Sequence, residues 1–98
     1  MTFKTAMAIY LFGAAIATPA HALTEKELTD VLAAIRVVES NNNPDAVGDN
    51  GKAIGVYQIW KVYWQDATEF SNIGGVYLDC RNPDYADRIV RAYMDRYA

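Results

Sequence analysis

The stretch Leu28-Thr29-Asp30-Val31-Leu32-Ala33-Ala34-Ile35-Arg36-Val37-Val38-Glu39-Ser40 decides how the rest of the chain is read. Leu28, Val31, Leu32, Ile35 and Val38 recur at helical spacing and form one apolar stripe. Glu39 follows Ile35 by four residues, Leu32 by seven and Leu28 by eleven, so it projects from that stripe rather than from the wet face. It also stands in the last helical turn, where the helix dipole is negative. Both effects disfavour a carboxylate and favour the protonated acid, the form a general acid uses. The plainer alternative is a glutamate that leaves the edge of the stripe for water.

Upstream, Thr24-Glu25-Lys26-Glu27 has the pattern of a capping box, with Thr24 as N-cap and Glu27 three residues on. Downstream, Asn41-Asn42-Asn43-Pro44 stops the helix, because asparagine tolerates the left-handed conformation and the residue before proline is pushed out of the helical region. From Pro44 to Gly55 the chain is polar, and Gly48-Asp49-Asn50-Gly51 is a strong turn signal. The expectation there is a loop or a very short, irregular hairpin. Ala53 to Ile59 then returns to the core, with Gly55 allowing a close backbone approach.

A second helix is predicted from Trp60 to Phe70, loosely from Gln58, on the spacing of Trp60, Tyr63, Trp64 and Ala67. Ser71 to Arg81 reads as a loop. The last helix begins near Asn82, a good N-cap followed by Pro83 and Asp84, and its stripe is Ala86, Ile89, Val90, Tyr93 and Tyr97. Arg88, Arg91 and Arg96 lie off that stripe and read as solvated. The fold class is mainly α, with three helices and a small irregular loop or hairpin lobe.

The chain has 98 residues. Its first 22 have the three regions of a secretory signal peptide: Lys4, an apolar run from Ala6 to Ala17, and Ala20-His21-Ala22 as a cleavage site. That run is too short to span a bilayer. The domain is then residues 23–98, a secreted or periplasmic protein with no stable membrane insertion after cleavage. Those residues hold eight Lys and Arg against twelve Asp and Glu, a net charge of −4, which argues against nucleic acid and anionic membrane surfaces as partners. Cys80 is the single cysteine, so no internal disulfide can form; it is either free or paired between chains, and a buried, inert thiol is the favoured reading.

The single histidine, His21, falls in the signal segment. The remaining chain has no histidine for a Ser-His or Cys-His pair or for a zinc site, and no P-loop or dinucleotide fingerprint. No cofactor or metal is implied. If the protein is an enzyme, carboxyl chemistry is nearly all that remains to it.

Glu39 at a helix end, a polar turn carrying Asp49, and Gly55-Val56-Tyr57-Gln58-Ile59 before an aromatic helix together resemble the lysozyme-like superfamily. The order Glu-Ser, turn, Gly-x-x-Gln-Ile is shared with lytic transglycosylases. Tyr63-Trp64-Gln65-Asp66-Ala67, Tyr77-Leu78-Asp79-Cys80 and Ile89-Val90-Arg91-Ala92-Tyr93-Met94 look closer to invertebrate-type, destabilase-like lysozymes. The resemblance implies an α+β lysozyme-like domain that cleaves the β-1,4 bond between N-acetylmuramic acid and N-acetylglucosamine in peptidoglycan strands. It maps the catalytic acid onto Glu39 and the second carboxylate onto Asp49. Such chemistry pairs a protonated carboxyl with an ionised one, and Asp49 in its polar turn suits the second role; an ordinary turn aspartate bonding its own backbone is the alternative.

Candidate substrate-binding residues are Ser40, Tyr57, Gln58, Trp60 and Trp64. Ser40 either orients Glu39 or caps the helix end; Gln58 either bonds the glycan or satisfies nearby backbone. The aromatic rings of Tyr57, Trp60 and Trp64 either face sugar or fill the core. A transglycosylase would need Glu39 alone, which makes Asp49 the discriminating residue. Two departures stand against the resemblance: invertebrate-type lysozymes are rich in disulfides, and relatives of both kinds usually continue past the last helix to close the cleft. A minimal or truncated lysozyme-like domain, monomeric, is the resulting expectation.

Overall fold

A computed structural model describes residues 23–97. The predicted signal peptide, residues 1–22, lies outside the described residues. Helix α1 spans Glu25–Ser40, followed by three two-residue strands, β1 (Val47–Gly48), β2 (Ala53–Ile54) and β3 (Ile59–Trp60). Helix α2 (Lys61–Ser71), a 3₁₀ helix (Tyr77–Arg81) and helix α3 (Pro83–Tyr97) complete the chain. The protein is therefore mainly α with a small antiparallel sheet, as the sequence reading expected.

The capping box at α1 forms as read. Thr24 Oγ1 accepts from the Glu27 N–H at 3.0 Å, and Glu27 Oε1 accepts from the Thr24 N–H at 2.9 Å. These bonds hold the Glu27 carboxyl below its ordinary value. At the other end Asn41 takes φ 54°, and the Asn42 N–H reaches back to the Arg36 carbonyl at 3.1 Å. Asparagine supplies the left-handed turn where a glycine would otherwise serve.

The buried face of α1 differs from the stripe predicted. Leu32 and Glu39 are fully buried and Ser40 nearly so, whereas Val38 is 65 % exposed. At 3.6 residues per turn, Leu28, Leu32, Ile35 and Glu39 share one face, and Val38 falls off its edge. The helix buries a face centred on Leu32 and Glu39.

The hairpin signal also gave more order than expected. β1, β2 and β3 form an antiparallel meander, pairing Val47 with Ile54, Gly48 with Ala53, Ala53 with Trp60 and Ile54 with Ile59. Asp49, Asn50 and Gly51 all have positive φ, the backbone that bends the β1–β2 connection. The start of α2 is corrected: Gln58 stands in a turn at φ 53°, Ile59 and Trp60 pair in β3, and the helix begins at Lys61. A helix cannot include Gln58, since its left-handed backbone breaks the ladder. The loop predicted over Ser71–Arg81 contains the 3₁₀ helix, started where Asp79 Oδ2 accepts from the Val76 N–H at 2.8 Å.

Asn82 caps α3, its Oδ1 accepting from the Asp84 and Tyr85 N–H groups at 2.9 and 3.2 Å. Ala86, Ile89, Val90 and Tyr93 are buried as predicted and Met94 joins them, while Tyr97 is 49 % exposed. Tyr63 of α2 stacks on Tyr93 of α3, centroids 3.8 Å apart and planes at 12°. Cys80 fills the floor between the sheet and α3, fully buried and free. Arg91 and Arg96 are not simply solvated. Arg91 pairs with Asp87 and Glu25 at 2.6 and 2.8 Å, and Arg96 with Asp66 at 2.6 Å. The 15 residues of α3 thus bind α1 through charge and α2 through rings and charge.

Candidate active site

Glu39 comes to the site from the last turn of α1, with its side chain fully buried at 0 % exposure. The next residue ties that turn to the sheet lobe. Ser40 Oγ donates to the Val56 carbonyl at 2.8 Å and accepts from the Asn43 N–H at 3.1 Å. Ser40 therefore closes the helix end and clamps it to the Gly55–Gln58 turn. Of its two readings, the geometry shows the capping one.

That turn carries Tyr57 and Gln58 inward. Gln58 is 1 % exposed, and its Nε2 donates to the carbonyls of Ala46 at 3.1 Å and Gly55 at 3.0 Å. It stitches the loop after α1 to the β2–β3 turn. Its Oε1 is buried and makes no hydrogen bond among the described residues. Tyr57 has no exposed ring face, and its hydroxyl accepts from Arg36 Nη1 and donates to Asp87 Oδ1, both at 2.7 Å. Burial first, then the Asp87 carboxylate, pushes its phenol well above the ordinary value. Its ring is core, not a platform for sugar.

Asp49 and Trp60 are brought together across the meander. The Trp60 Nε1–H donates to Asp49 Oδ2 at 3.2 Å, and Asp49 Oδ1 is buried without a hydrogen bond among the described residues. Lys52 Nζ lies 5.8 Å from the Trp60 ring centroid, on the same hairpin. Trp64 turns elsewhere: its Nε1–H donates to the Tyr85 hydroxyl at 2.9 Å and its ring tilts on Tyr77 at 6.0 Å. The predicted set thus divides. Ser40, Tyr57 and Gln58 hold the turn beside Glu39, Asp49 and Trp60 form a pair on the hairpin, and Trp64 belongs to the α2–α3 side.

Sequence reading gave Arg36, Asp87 and Arg91 no site role. Arg36 and Asp87 bond the Tyr57 hydroxyl, Arg91 pairs with Asp87, and the three line a groove of about 420 Å³ with Thr29, Asn42, Val56, Pro83 and Asp84. The Asp87–Arg91 spacing of four on one helix was a legible signal for an ion pair. Its link to Arg36 came only with the packing of α1 on α3.

Among the described residues no group of histidine, cysteine, aspartate and glutamate could hold a metal ion, and no helix is long and apolar enough to cross a membrane.

Residues 29–98 match the Destabilase family. The chain belongs to that family. The match takes in most of α1, the whole sheet and everything that follows, so Glu39, Asp49 and the Gly55–Gln58 turn all lie inside it. Neither the curated proteins nor the solved structures contain a match. Membership in the destabilase family, the invertebrate-type lysozymes, makes a lysozyme-like, glycosidase-type enzyme the family-level description of the chain.

Proposed function

We propose that this destabilase-family protein cleaves the β-1,4 bond between N-acetylmuramic acid and N-acetylglucosamine in peptidoglycan, with Glu39 as general acid. The observation that supports it is the complete burial of the Glu39 carboxyl at the junction of α1 and the sheet lobe. A carboxyl removed from water resists ionisation, so it keeps a proton to give to a leaving oxygen. Asp49, anchored by the Trp60 indole on the neighbouring hairpin, is the second carboxylate. Proton transfer needs hydrogen-bond reach to the glycosidic oxygen, so a glycan must displace the cover over Glu39. The reading places the protein outside the cytoplasm, where its substrate is, in line with the signal-like first 22 residues.

Glu39→Gln keeps the volume and removes the acid. Release of soluble fragments from purified peptidoglycan should fall by about 100-fold or more, with the circular dichroism unchanged. Undiminished release by that variant rejects the mechanism.

The enclosure of Glu39 favours a second reading, a lysozyme-like domain that binds glycan without cutting it. Co-sedimentation with peptidoglycan and no fragments even from native protein would establish it. A transglycosylase acting through Glu39 alone is separated by product mass, since its anhydro ends lack one water. It should also tolerate Asp49→Asn, which a two-carboxylate hydrolase should not.

A further inference from the structure

We infer that the groove between α1 and α3 is a second binding site, distinct from Glu39, for a short peptide bearing both a free carboxylate and a free amine. Its volume, about 420 Å³, is that of an ordinary small-ligand pocket. Glu39 does not line it; Thr29, Arg36 and Asn42 do on one side, and Asp84, Asp87 and Arg91 on the other.

Most of the charge in this groove is internally matched. Asp87 receives the Tyr57 hydroxyl and Arg91 Nε, with Arg36 Nη1 at 3.6 Å. Arg91 is further held by Glu25 at 2.8 Å and Thr29 at 3.4 Å. Two groups of opposite sign keep unused hydrogen-bonding capacity among the described residues. Among the described residues Arg36 bonds only through Nη1, so Nε and Nη2 remain as a donor fork, three-quarters of the side chain being buried. Asp84 forms no ion pair among the described residues, and it stands in the first turn of α3.

A guanidinium fork takes a carboxylate in two parallel bonds. A lone carboxylate on the facing wall takes an ammonium. The Asn42 amide, held beside Arg36 by the left-handed turn at the end of α1, can bond a peptide group between them. A neutral sugar offers neither charge, and a simple anion or cation satisfies only one wall. The chemistry therefore selects a zwitterionic peptide. Two sources carry it: a free peptide, or the peptide branch of the wall polymer proposed above as substrate. Only the second source rests on that proposal.

The test uses the purified ¹⁵N-labelled protein and tri-L-alanine, which carries one free amine and one free carboxylate, with no glycan present, so its outcome does not depend on whether Glu39 cuts anything. Saturable amide shifts at Thr29, Arg36, Asn42 and Asp84 are expected. N-acetylation or C-amidation of the peptide should each weaken binding at least about tenfold. Asp84→Asn, at an exposed position whose carboxylate forms no ion pair among the described residues, should abolish the discrimination against the acetylated peptide. Arg36→Lys should remove the penalty for C-amidation. Equal affinity for blocked and unblocked peptides overturns the proposal. So do shifts confined to another face, or none at about 10 mM peptide. A parallel titration with a soluble disaccharide-tripeptide, whose N-terminus is amide-linked to the sugar and whose free amine is a diamino-acid side chain, assigns the source: tighter binding than tri-alanine at the same residues identifies the wall branch, and equal or weaker binding identifies the free peptide.

Discussion

Gly55 is a residue whose need for hydrogen can be given a distance. Its φ is +81°, and a Cβ built on it would lie 2.2 Å from the Cys80 carbonyl oxygen, well inside contact range. Backbone on both sides fixes that approach, so nothing can swing away. Gly55→Ala should therefore cost roughly 3 kcal/mol through positive-φ strain and overpacking, read as a fall in the urea midpoint. A change within error would mean that the turn moves freely against the 3₁₀ helix. The Cys80 thiol under the same contact is pushed up to about 12, by burial and then by Asp79. It should not react with a thiol reagent at pH 8 in native protein, and should react fully once unfolded. Sequence told where backbone had to come close, and favoured a buried Cys80. It did not tell that these two positions meet, because Gly55 and Cys80 are 25 residues apart with no shared periodicity. Glu39 was legible because helical spacing alone set its face. Tyr57 was not: a single aromatic in a turn gives no period, and only the placement of Asp87 and Arg36 shows that its hydroxyl faces inward.

Elements with chemical punctuation were read to the residue. Both long helices start at side-chain caps and α1 ends at an asparagine in the left-handed region, all local signals that need no tertiary partner. Two-residue strands have no such signature; Ile59-Trp60 joined β2 because the Gln58 turn folded it back, and a four-residue aromatic spacing mimicked a helix start. The cap of α1 carries a prediction of its own. Thr24→Ala should lower stability by about 1 kcal/mol, measured by chemical denaturation. Glu27, its reciprocal partner, has a lowered pKa from hydrogen bonds to Thr24. A carboxyl lowered in the fold stabilises it above its ordinary titration range and loses that contribution as the pH falls through the folded value. Acid below about pH 4 should thus fray the first turn of α1. In Thr24→Ala that acid-dependent step should shrink, by amide exchange in residues 25–28. A step of unchanged size would show that the box does not set it.

Across the whole molecule, tyrosine hydroxyls tie one element to the next. Tyr57 joins α1 to α3 through Arg36 and Asp87, and Tyr77 joins the 3₁₀ helix to β3 through the Ile59 carbonyl at 2.5 Å. Tyr63 is buried in the ring stack between α2 and α3. Desolvation is the largest cause that raises all three phenols, Tyr77 to about 12 and the other two well above the ordinary value. An acid raised in the fold contributes stability below its unfolded pKa, near 10, and loses it as the pH climbs toward the folded value. Protonated phenols therefore hold the fold at neutral pH, and stability should decline steadily from about pH 10 upward. Because three groups act together in a single small core, tyrosinate absorbance from them should not precede unfolding. It should rise with the loss of far-ultraviolet ellipticity in one transition. Tyr57→Phe removes one of the three titrations but leaves Asp87 and Arg36 without their hydroxyl. It should lower neutral-pH stability by about 1–2 kcal/mol while flattening the alkaline slope. Ionisation of all three phenols in a chain that keeps its ellipticity would show that none is sealed from water. The junction holding Glu39 would then be an open surface rather than part of the core.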